Sequence, residues 1–338
     1  MMLEKSSLLE QRLIDCLNLN YGIEVMTLIF LPLGSDMHAF IYKAHARDQS
    51  SYFAKLNHGH ASNVGALIID LLHEAGIPHV IPIIKTRQGH FQHYFDDFTI
   101  IVFPFIEGKD GFSRKLNKEQ WVTFGKTMRQ IHEINLPLTL QSLIRRETYT
   151  PKWRQAVRAL YSIIESKPSG DEIALKLLNF MKTHQATIHC LVNRAEQLAQ
   201  QLQNQTVEFV LCHADIHGGN VLIGENDIFY IVDWDAPLLA PKERDLMFIG
   251  GGVANVWNNP WEEELFYQGY GKSPINKILL AYYRHERIIE DIALYGQQLL
   301  LTAEGGKGRQ QWYDELAAQF EPQGVVEIAF KTDEGLLL

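Results

Sequence analysis

Three cysteines in 338 residues are too few and too far apart to form a disulfide framework. Cys16, Cys190 and Cys212 lie in apolar surroundings, which predicts reduced, buried thiols and argues against a CxxC metal site. Long hydrophobic runs are also missing: no stretch of about 18 apolar residues is present, so a transmembrane helix is not expected. The N-terminal residues have the mixed acidic and apolar pattern of an amphipathic helix. We therefore expect no signal peptide and a cytoplasmic protein.

Positive charge is in short supply, with 31 Lys and Arg against 40 Asp and Glu and a net charge of −9. Nucleic acids and anionic membranes bind basic surfaces, so neither is an expected partner. The acidic balance is compatible with a cationic small-molecule substrate. Hydrophobic residues make up 46% of the chain, enough to build the cores of a globular protein with two lobes. The composition does not define an oligomeric state, and a monomer is compatible with it.

The most informative stretch is LCHADIHGGNVLIGENDIFYIVDWD, residues 211–235. Short apolar runs at 209–211, 221–223 and 228–232 flank a polar segment, which predicts a loop between short strands. Asp215 and Asn220 are separated by five positions (220 − 215), the spacing of the kinase catalytic loop H-R-D-x-x-x-x-N. Asp233, at the end of the third run, then corresponds to the aspartate of the DFG motif.

Phosphoryl transfer explains why these residue types occur together. The transferring group carries charge on several oxygens, so the reaction needs Mg²⁺ held by hard oxygen ligands, here Asn220 and Asp233. Asp215 is then available to orient the acceptor hydroxyl and take its proton. An alternative is a zinc site of His213, Asp215 and His217, which would share one face of a strand. That alternative leaves Asn220 and Asp233 without a role, and His213 is interpreted instead as a residue that fixes the loop.

CHADIHGGNVLI, YIVDWD and RDLMF follow one another in the order seen in the aminoglycoside phosphotransferase family, which the chain resembles over most of its length. The resemblance implies an α+β, protein-kinase-like bilobal fold. It predicts a small β-rich nucleotide-binding lobe at 1–103, a hinge at 104–113 and a larger, mainly α-helical lobe at 114–338 with a helical insertion at about 140–205. Asp245, in RDLMF, is expected to brace the catalytic loop through hydrogen bonds.

In the N-terminal lobe, a helix is followed by strands at 25–30, 39–44 and 51–56. Gly34, Ser35 and Asp36 are expected at a turn over the nucleotide phosphates, where glycine permits close backbone approach. Lys55, in YFAKL on the third strand, corresponds to the V-A-I-K lysine that contacts the α- and β-phosphates.

The acidic partner of Lys55 should lie on a helix predicted at 62–75. The glutamate typical of the family is missing near Gly65–Ala66, which leaves Asp70 and Glu74 as candidates, with Asp70 favoured. Further strands are predicted at 80–84 and 99–103. The resemblance places the hinge after the second of these, with backbone groups of Phe103 and Phe105 pairing with adenine.

In the C-terminal lobe, helices are predicted at 117–134, within 171–204 and from Ser273 to about Tyr295. Glu286, Glu290 and Asp291 cluster on the last of these helices. They form either a solvated face paired with neighbouring arginines or a pocket wall that attracts a cationic aminocyclitol. Glu286 and Glu290 are named as substrate-binding residues, together with Asp235.

The sequence therefore predicts a kinase that uses ATP and Mg²⁺ to phosphorylate a hydroxyl of a cationic aminocyclitol antibiotic. Other small alcohols are the alternatives within this class: another aminoglycoside, choline, homoserine or a thiosugar. A nucleotide-binding regulator without turnover is the alternative outside it. The presence of Asp215 favours an enzyme, because a protein that only binds nucleotide needs no base.

Overall fold

The computed structural model describes residues 7–32, 39–59, 62–165, 170–203, 205–302, 305–306 and 308–334. The chain divides into two compact units, and neither is continuous in sequence. Unit 1 comprises 1–114, 134–144 and 220–237, and unit 2 comprises 115–133, 145–219 and 238–338. Segment 220–237, which includes the end of the informative stretch at Asp235, thus belongs to unit 1.

Unit 1 contains most of the strands. With strands and helices numbered in chain order, its elements are α1 (Ser7–Tyr21), β1 (Val25–Leu31), β2 (Ala39–Ala46), β3 (Ser51–His58), α2 (Val64–Glu74), β4 (His93–Phe95), β5 (Phe98–Pro104), β6 (Gly108–Asp110), α4 (Leu138–Gln141), β9 (Val221–Gly224) and β10 (Phe229–Ile231). β1–β5 form an antiparallel sheet in the order β1-β2-β3-β5-β4, and a second sheet has the order β10-β9-β6. The predicted strands at 25–30, 39–44, 51–56 and 99–103 are confirmed.

The first sheet is stabilised by apolar side chains that face α1. Ala54 and Leu56 of β3 pack in a core with Leu13 and Leu17 of α1, and all four are fully buried. Because successive side chains of a strand point to opposite faces, Lys55 points away from this core. The core-facing Ala54 and Leu56 on either side of Lys55 therefore determine which face of the sheet it occupies.

The strand predicted at 80–84 is wrong. Val80 forms a single parallel bridge with Ile231, and the following residues have no strand structure. Pro82 has no N–H to give to a ladder, and the N–H of Ile84 donates instead to the carbonyl of Val102 at 2.8 Å. The segment therefore runs beside the sheet without joining it.

Unit 2 is mainly helical. Its elements are α3 (Lys118–His132), β7 (Arg145–Arg146), α5 (Lys152–Glu165), α6 (Glu172–Thr183), α7 (Gln185–Gln203), β8 (Val210–Cys212), β11 (Leu238–Ala240), α8 (Glu243–Leu246), α9 (Pro260–Tyr270), α10 (Lys277–Leu301), α11 (Gly308–Ala318) and α12 (Val325–Glu334). β7, β11 and β8 form a small sheet in that order. Buried side chains of α5, α6, α7, α10, α11 and α12 make one apolar core. The helices predicted at 117–134 and within 171–204 are confirmed.

The longest helix, α10, begins at Lys277 and not at Ser273 as predicted. The Asn276 side chain accepts hydrogen bonds from the backbone N–H groups of Ile278 and Leu279, so it caps the helix. Glu243 accepts the N–H of Asn276 at 2.9 Å, which holds this cap against α8. Ser273 and Pro274 precede the cap.

One cysteine prediction is wrong. Cys16 and Cys212 are buried, whereas Cys190 is exposed. Ile188, Leu191 and Val192 of α7 all face the core, and Cys190 lies on the other side of the same turn. Within the described residues, no helix combines the length and hydrophobicity needed to span a membrane.

Candidate active site

Lys55 lies in the middle of β3 and forms ion pairs within unit 1. Its Nζ is 3.0 Å from Asp233 Oδ1 and 2.6 Å from Asp235 Oδ2. Burial by itself lowers the pKa of the Lys55 ammonium, but the two carboxylates outweigh it and the pKa is raised. Lys55 is therefore charged, as a lysine that contacts phosphate oxygens must be.

The structure does not bring Asp70 to Lys55. Asp70 lies on α2 with its Oδ1 2.9 Å from Nζ of Lys85. Asp235, which the sequence analysis assigns to substrate binding, is the closer of the two carboxylates that contact Lys55. No local sequence pattern indicates this pairing, because the lysine and the two aspartates are about 180 residues apart.

Asn220 and Asp233 stand at adjacent strand ends. β9 begins directly after Asn220 and pairs antiparallel with β10, with Val221 opposite Ile231. The backbone N–H of Val232 donates to the carbonyl of Asn220 at 3.0 Å. Asp233, the next residue after Val232, is therefore held close to Asn220. Asp233 has a left-handed backbone with φ of 64°, which is uncommon outside glycine. An amide and a carboxylate at neighbouring strand ends offer the oxygen donors that Mg²⁺ prefers.

The predicted adenine contacts lie at the end of β5. Phe103 is paired with Phe53 of β3, and the N–H of Phe105 donates to the carbonyl of Ser51 at 2.9 Å. The N–H of Phe105 thus has a partner within the sheet, and its role toward adenine stays a prediction. Gly34, Ser35 and Asp36 lie outside the described residues.

Asp215 lies in unit 2, beside a half-buried cation. Arg287 of α10 donates to Asp215 Oδ1 at 2.5 Å, and Nε2 of His217 is 3.4 Å from Oδ2. Burial raises the pKa of the Asp215 carboxyl, but the hydrogen bond from His217 and the charge of Arg287 more than reverse this. Asp215 is therefore ionised at neutral pH and can accept a hydrogen bond from a hydroxyl. The sequence analysis did not identify Arg287 as part of this site.

Asp245 holds the loop that carries Asp215. Its Oδ2 accepts the N–H of His213 at 2.9 Å, and its Oδ1 accepts the N–H of Ala214 at 2.7 Å. Nε2 of His132 lies 3.1 Å from Oδ2. Ala214 has a left-handed backbone with φ of 72°, a conformation that costs energy in alanine. The hydrogen bonds that these two successive amides donate to the buried Asp245 carboxylate offset that cost.

The rings of His213 and His217 accept hydrogen bonds from the backbone of the loop that carries Asp215. The ring of His213 accepts the N–H of Asp215 through Nδ1 at 3.3 Å, and that of His217 accepts the N–H of Gly219 through Nδ1 at 3.0 Å. Among the described residues, the side chains close enough to share a metal ion are His132, Cys212 and Asp245. This does not favour the zinc alternative, which needs His213, Asp215 and His217 together.

The carboxylates of α10 differ in their surroundings. Glu286 accepts a hydrogen bond from the buried Arg154 at 2.5 Å, and Asp291 is 3.2 Å from Arg287. Burial raises the pKa of Glu286 to about 7 even though Arg154 acts in the opposite direction. The Glu290 side chain makes no ion pair or hydrogen bond with another described residue. Burial raises its pKa as well, and the charges of Arg244 and Arg287 reduce the effect.

Unit 1 thus carries a charged strand lysine with an amide and a carboxylate at adjacent strand ends, and unit 2 carries an ionised aspartate on a braced loop; these are the kinds of group that phosphoryl transfer uses. A sequence profile of the Phosphotransferase enzyme family (APH) matches residues 32–273. The chain belongs to this family, the aminoglycoside phosphotransferases, and it is a small-molecule kinase.

Solved structures give a finer comparison. The chain is similar to spectinomycin phosphotransferase APH(9)-Ia in complex with ADP and spectinomycin, with 45% identity and a TM-score of 0.91 over 96% of this chain and 98% of that one. An AMP-bound complex of the same protein matches at 44% identity and a TM-score of 0.87, with the same coverage. Choline kinase LicA from Streptococcus pneumoniae matches at 17% identity and a TM-score of 0.54 over 98% of this chain and 99% of that one, which shows a shared fold. A search of curated proteins found no match.

Proposed function

We propose that this enzyme transfers the γ-phosphoryl group of ATP to a hydroxyl of spectinomycin and so inactivates the antibiotic. The main support is the 45% identity, over 96% of the chain, to a protein solved in complex with ADP and spectinomycin. The acidic character of the chain suits an acceptor that carries amino groups. ATP as the phosphoryl donor is consistent with a cytoplasmic enzyme.

Asp215 is the proposed acceptor of the hydroxyl proton. The acceptor oxygen forms a bond to the γ-phosphorus, the bond from that phosphorus to the β–γ bridging oxygen breaks, and ADP leaves. Asp215 accepts a hydrogen bond from the hydroxyl before the reaction and takes its proton as the new bond forms. Arg287 and His217 keep the carboxylate ionised, so orientation of the hydroxyl is the larger part of its role.

Asn220 and Asp233 are the proposed ligands of Mg²⁺. Their support is the oxygen donor set and the hydrogen bond that joins Val232 to Asn220. Magnesium bound with the nucleotide would neutralise charge on the phosphate oxygens. Lys55 is proposed to contact the α- and β-phosphates, a role that its raised pKa supports.

Acceptor turnover tests the proposal. We expect ADP release with Mg²⁺, ATP and spectinomycin, and a product heavier by one phosphoryl group, with much slower release for kanamycin, streptomycin and choline. Asp215→Asn should lower kcat by roughly 10²- to 10⁴-fold while nucleotide binding is kept, because the loss is confined to proton transfer and orientation. Turnover of choline or kanamycin in preference to spectinomycin would reject the substrate. Near-normal kcat in Asp215→Asn would reject the role of Asp215.

Glu290 is the better candidate of the two predicted substrate carboxylates. Glu286 already neutralises Arg154, whereas Glu290 is available to an amino group of the acceptor. Glu290→Gln should therefore raise KM for spectinomycin by about tenfold, the equivalent of one charged hydrogen bond, and leave KM for ATP nearly unchanged. Glu286→Gln is the matched control on the same helix, and its main effect should be on thermal stability. Equal KM values for Glu290→Gln and the wild type would exclude Glu290 from acceptor binding.

A further inference from the structure

The Lys55 ammonium is held by the turn that follows β10. The Lys55 side chain is 14% exposed, and its two ion pairs are to Asp233 and Asp235, on either side of Trp234. An ammonium with so little access to water needs an opposite charge close by. Asp235, at 2.6 Å, is the nearer of the two.

Helix α2 supplies no carboxylate to Lys55. Its acidic residues are Asp70, which pairs with Lys85, and Glu74, which is exposed. Nearer its start, α2 lies directly on the turn: a Cβ added to Gly65 would be 2.1 Å from the carbonyl oxygen of Trp234. A side chain at this position has no space. The helix therefore contacts the turn through its backbone at Gly65 and presents no side chain there to Lys55.

The turn itself is fixed on its other side. Trp234 is buried, and its Nε1 donates to the carbonyl of Ile231 at 3.2 Å. The contact of Gly65 with the Trp234 carbonyl and the burial of the indole together fix the backbone before Asp235. Since the residue that follows a fixed backbone has limited freedom, the Asp235 carboxylate is directed by packing toward Lys55.

We propose that Asp235 is the positioning residue for Lys55, in place of a carboxylate on helix α2. This rests on the proposed function only in assigning Lys55 to the nucleotide phosphates. In this role Asp235 keeps the Lys55 side chain extended, while Asp233 is left to serve as a metal ligand. It also separates Asp235 from the acceptor, contrary to its predicted substrate-binding role.

Binding of ADP without metal tests this directly, since neither Mg²⁺ nor an acceptor takes part. Affinity is measured by calorimetry in EDTA for the wild type and for Lys55→Met, Asp235→Asn and the double variant. We expect both single variants to bind ADP on the order of tenfold more weakly. We expect the double variant to bind no more weakly than Lys55→Met alone, because Asp235 acts through Lys55. Asp70→Asn, the matched control, should bind within about twofold of the wild type.

Three outcomes would overturn the proposal. The first is unchanged or tighter ADP binding by Asp235→Asn, and the second is a loss in Asp70→Asn equal to that expected of Asp235→Asn. The third is a rise in KM for the acceptor in Asp235→Asn without a rise in its KM for ATP. Asp235→Glu, which keeps the charge, should bind ADP more tightly than Asp235→Asn, and it provides a second variant if the amide variant does not fold. Failure of spectinomycin as an acceptor would leave the ADP measurements intact, so the two proposals fail separately.

Discussion

Arg287 determines how Asp215 can act. Arg287 bonds to Asp215 Oδ1 at 2.5 Å and also lies 3.2 Å from Asp291, so it links the catalytic loop to α10. The charges that face Asp215 are Arg287, His217 and His213, which lower its pKa, while Glu290 and Asp291 are nearby acids. With a pKa below its ordinary value, Asp215 is a weak base and a constant hydrogen-bond acceptor through the neutral range.

Replacement of Arg287 should make the reaction sensitive to acid. Asp215 works in its ionised form, and its low pKa keeps it ionised well below neutral pH. In Arg287→Gln the pKa of Asp215 should rise, because the carboxylate loses its guanidinium partner, so kcat/KM should fall at a higher pH as the solution is acidified. The pH profile of kcat/KM measures this. Arg158→Gln, an exposed arginine on α5, is the control and should follow the wild type. If kcat/KM fell at the same pH in Arg287→Gln and in the wild type, Arg287 would not be the residue that keeps Asp215 ionised.

Residue spacing in the sequence predicts Asp215, Asn220 and Asp233 as site residues, because the loop that holds them is local and its order follows from the chemistry. It did not identify Arg287, and it assigned Asp70 where the structure has Asp235. Ion pairs of this kind join residues that are 72 to 180 positions apart. Side chains at such separations meet through tertiary packing, on which local patterns carry no information.

At the scale of elements, the contact of α3 with α9 depends on two glycines. A Cβ at Gly125 would be 2.0 Å from the carbonyl oxygen of Phe266, and one at Gly269 would be 1.8 Å from that of Val122. The two helix backbones therefore touch at both positions. α3 also carries His132, which contacts Asp245, so this packing supports the brace of the catalytic loop.

Gly125→Ala should destabilise the protein although alanine is the better helix former. The propensity gain of about 1 kcal/mol is opposed by a clash with rigid backbone, and such overpacking typically costs about 1–3 kcal/mol. We expect a lower free energy of unfolding in urea. Gly308→Ala is the matched control: Gly308 begins α11 and a Cβ there meets nothing within 4 Å. A Gly125→Ala variant as stable as the wild type would show that the two helices can separate without cost.

Helices and strands with a clear apolar period were predicted well. The errors lie where a single polar contact determines the bounds of an element. The stripe of Trp121, Phe124, Met128 and Ile131 is fully buried in α3, as its spacing predicts. The start of α10 was wrong because Asn276, and not Ser273, accepts the first N–H groups. The apolar period shows which face of a helix is buried, but the first residue of the helix depends on which side chain caps the exposed amides.

For the whole molecule, the order of residues along the chain and the grouping of residues in space differ. The segment 220–237 follows the catalytic loop in sequence and packs in unit 1 with β3 and α2. The predicted boundaries at 103 and 114 describe lobes that are continuous in sequence. Such boundaries cannot describe a unit that also contains residues 220–237. The contact of Gly65 with Trp234 is one physical reason for it, because a helix without a side chain at that point leaves room for the turn.

The distribution of the three cysteines makes the protein convenient to label. Burial raises the pKa of the thiols of Cys16 and Cys212, and thiolates are the form that reacts with maleimides. Cys190 is exposed on α7, in the helical insertion. A maleimide fluorophore should therefore attach at this one position in the unmodified sequence. An emission change on addition of an antibiotic would then report on the insertion without any substitution in the enzyme.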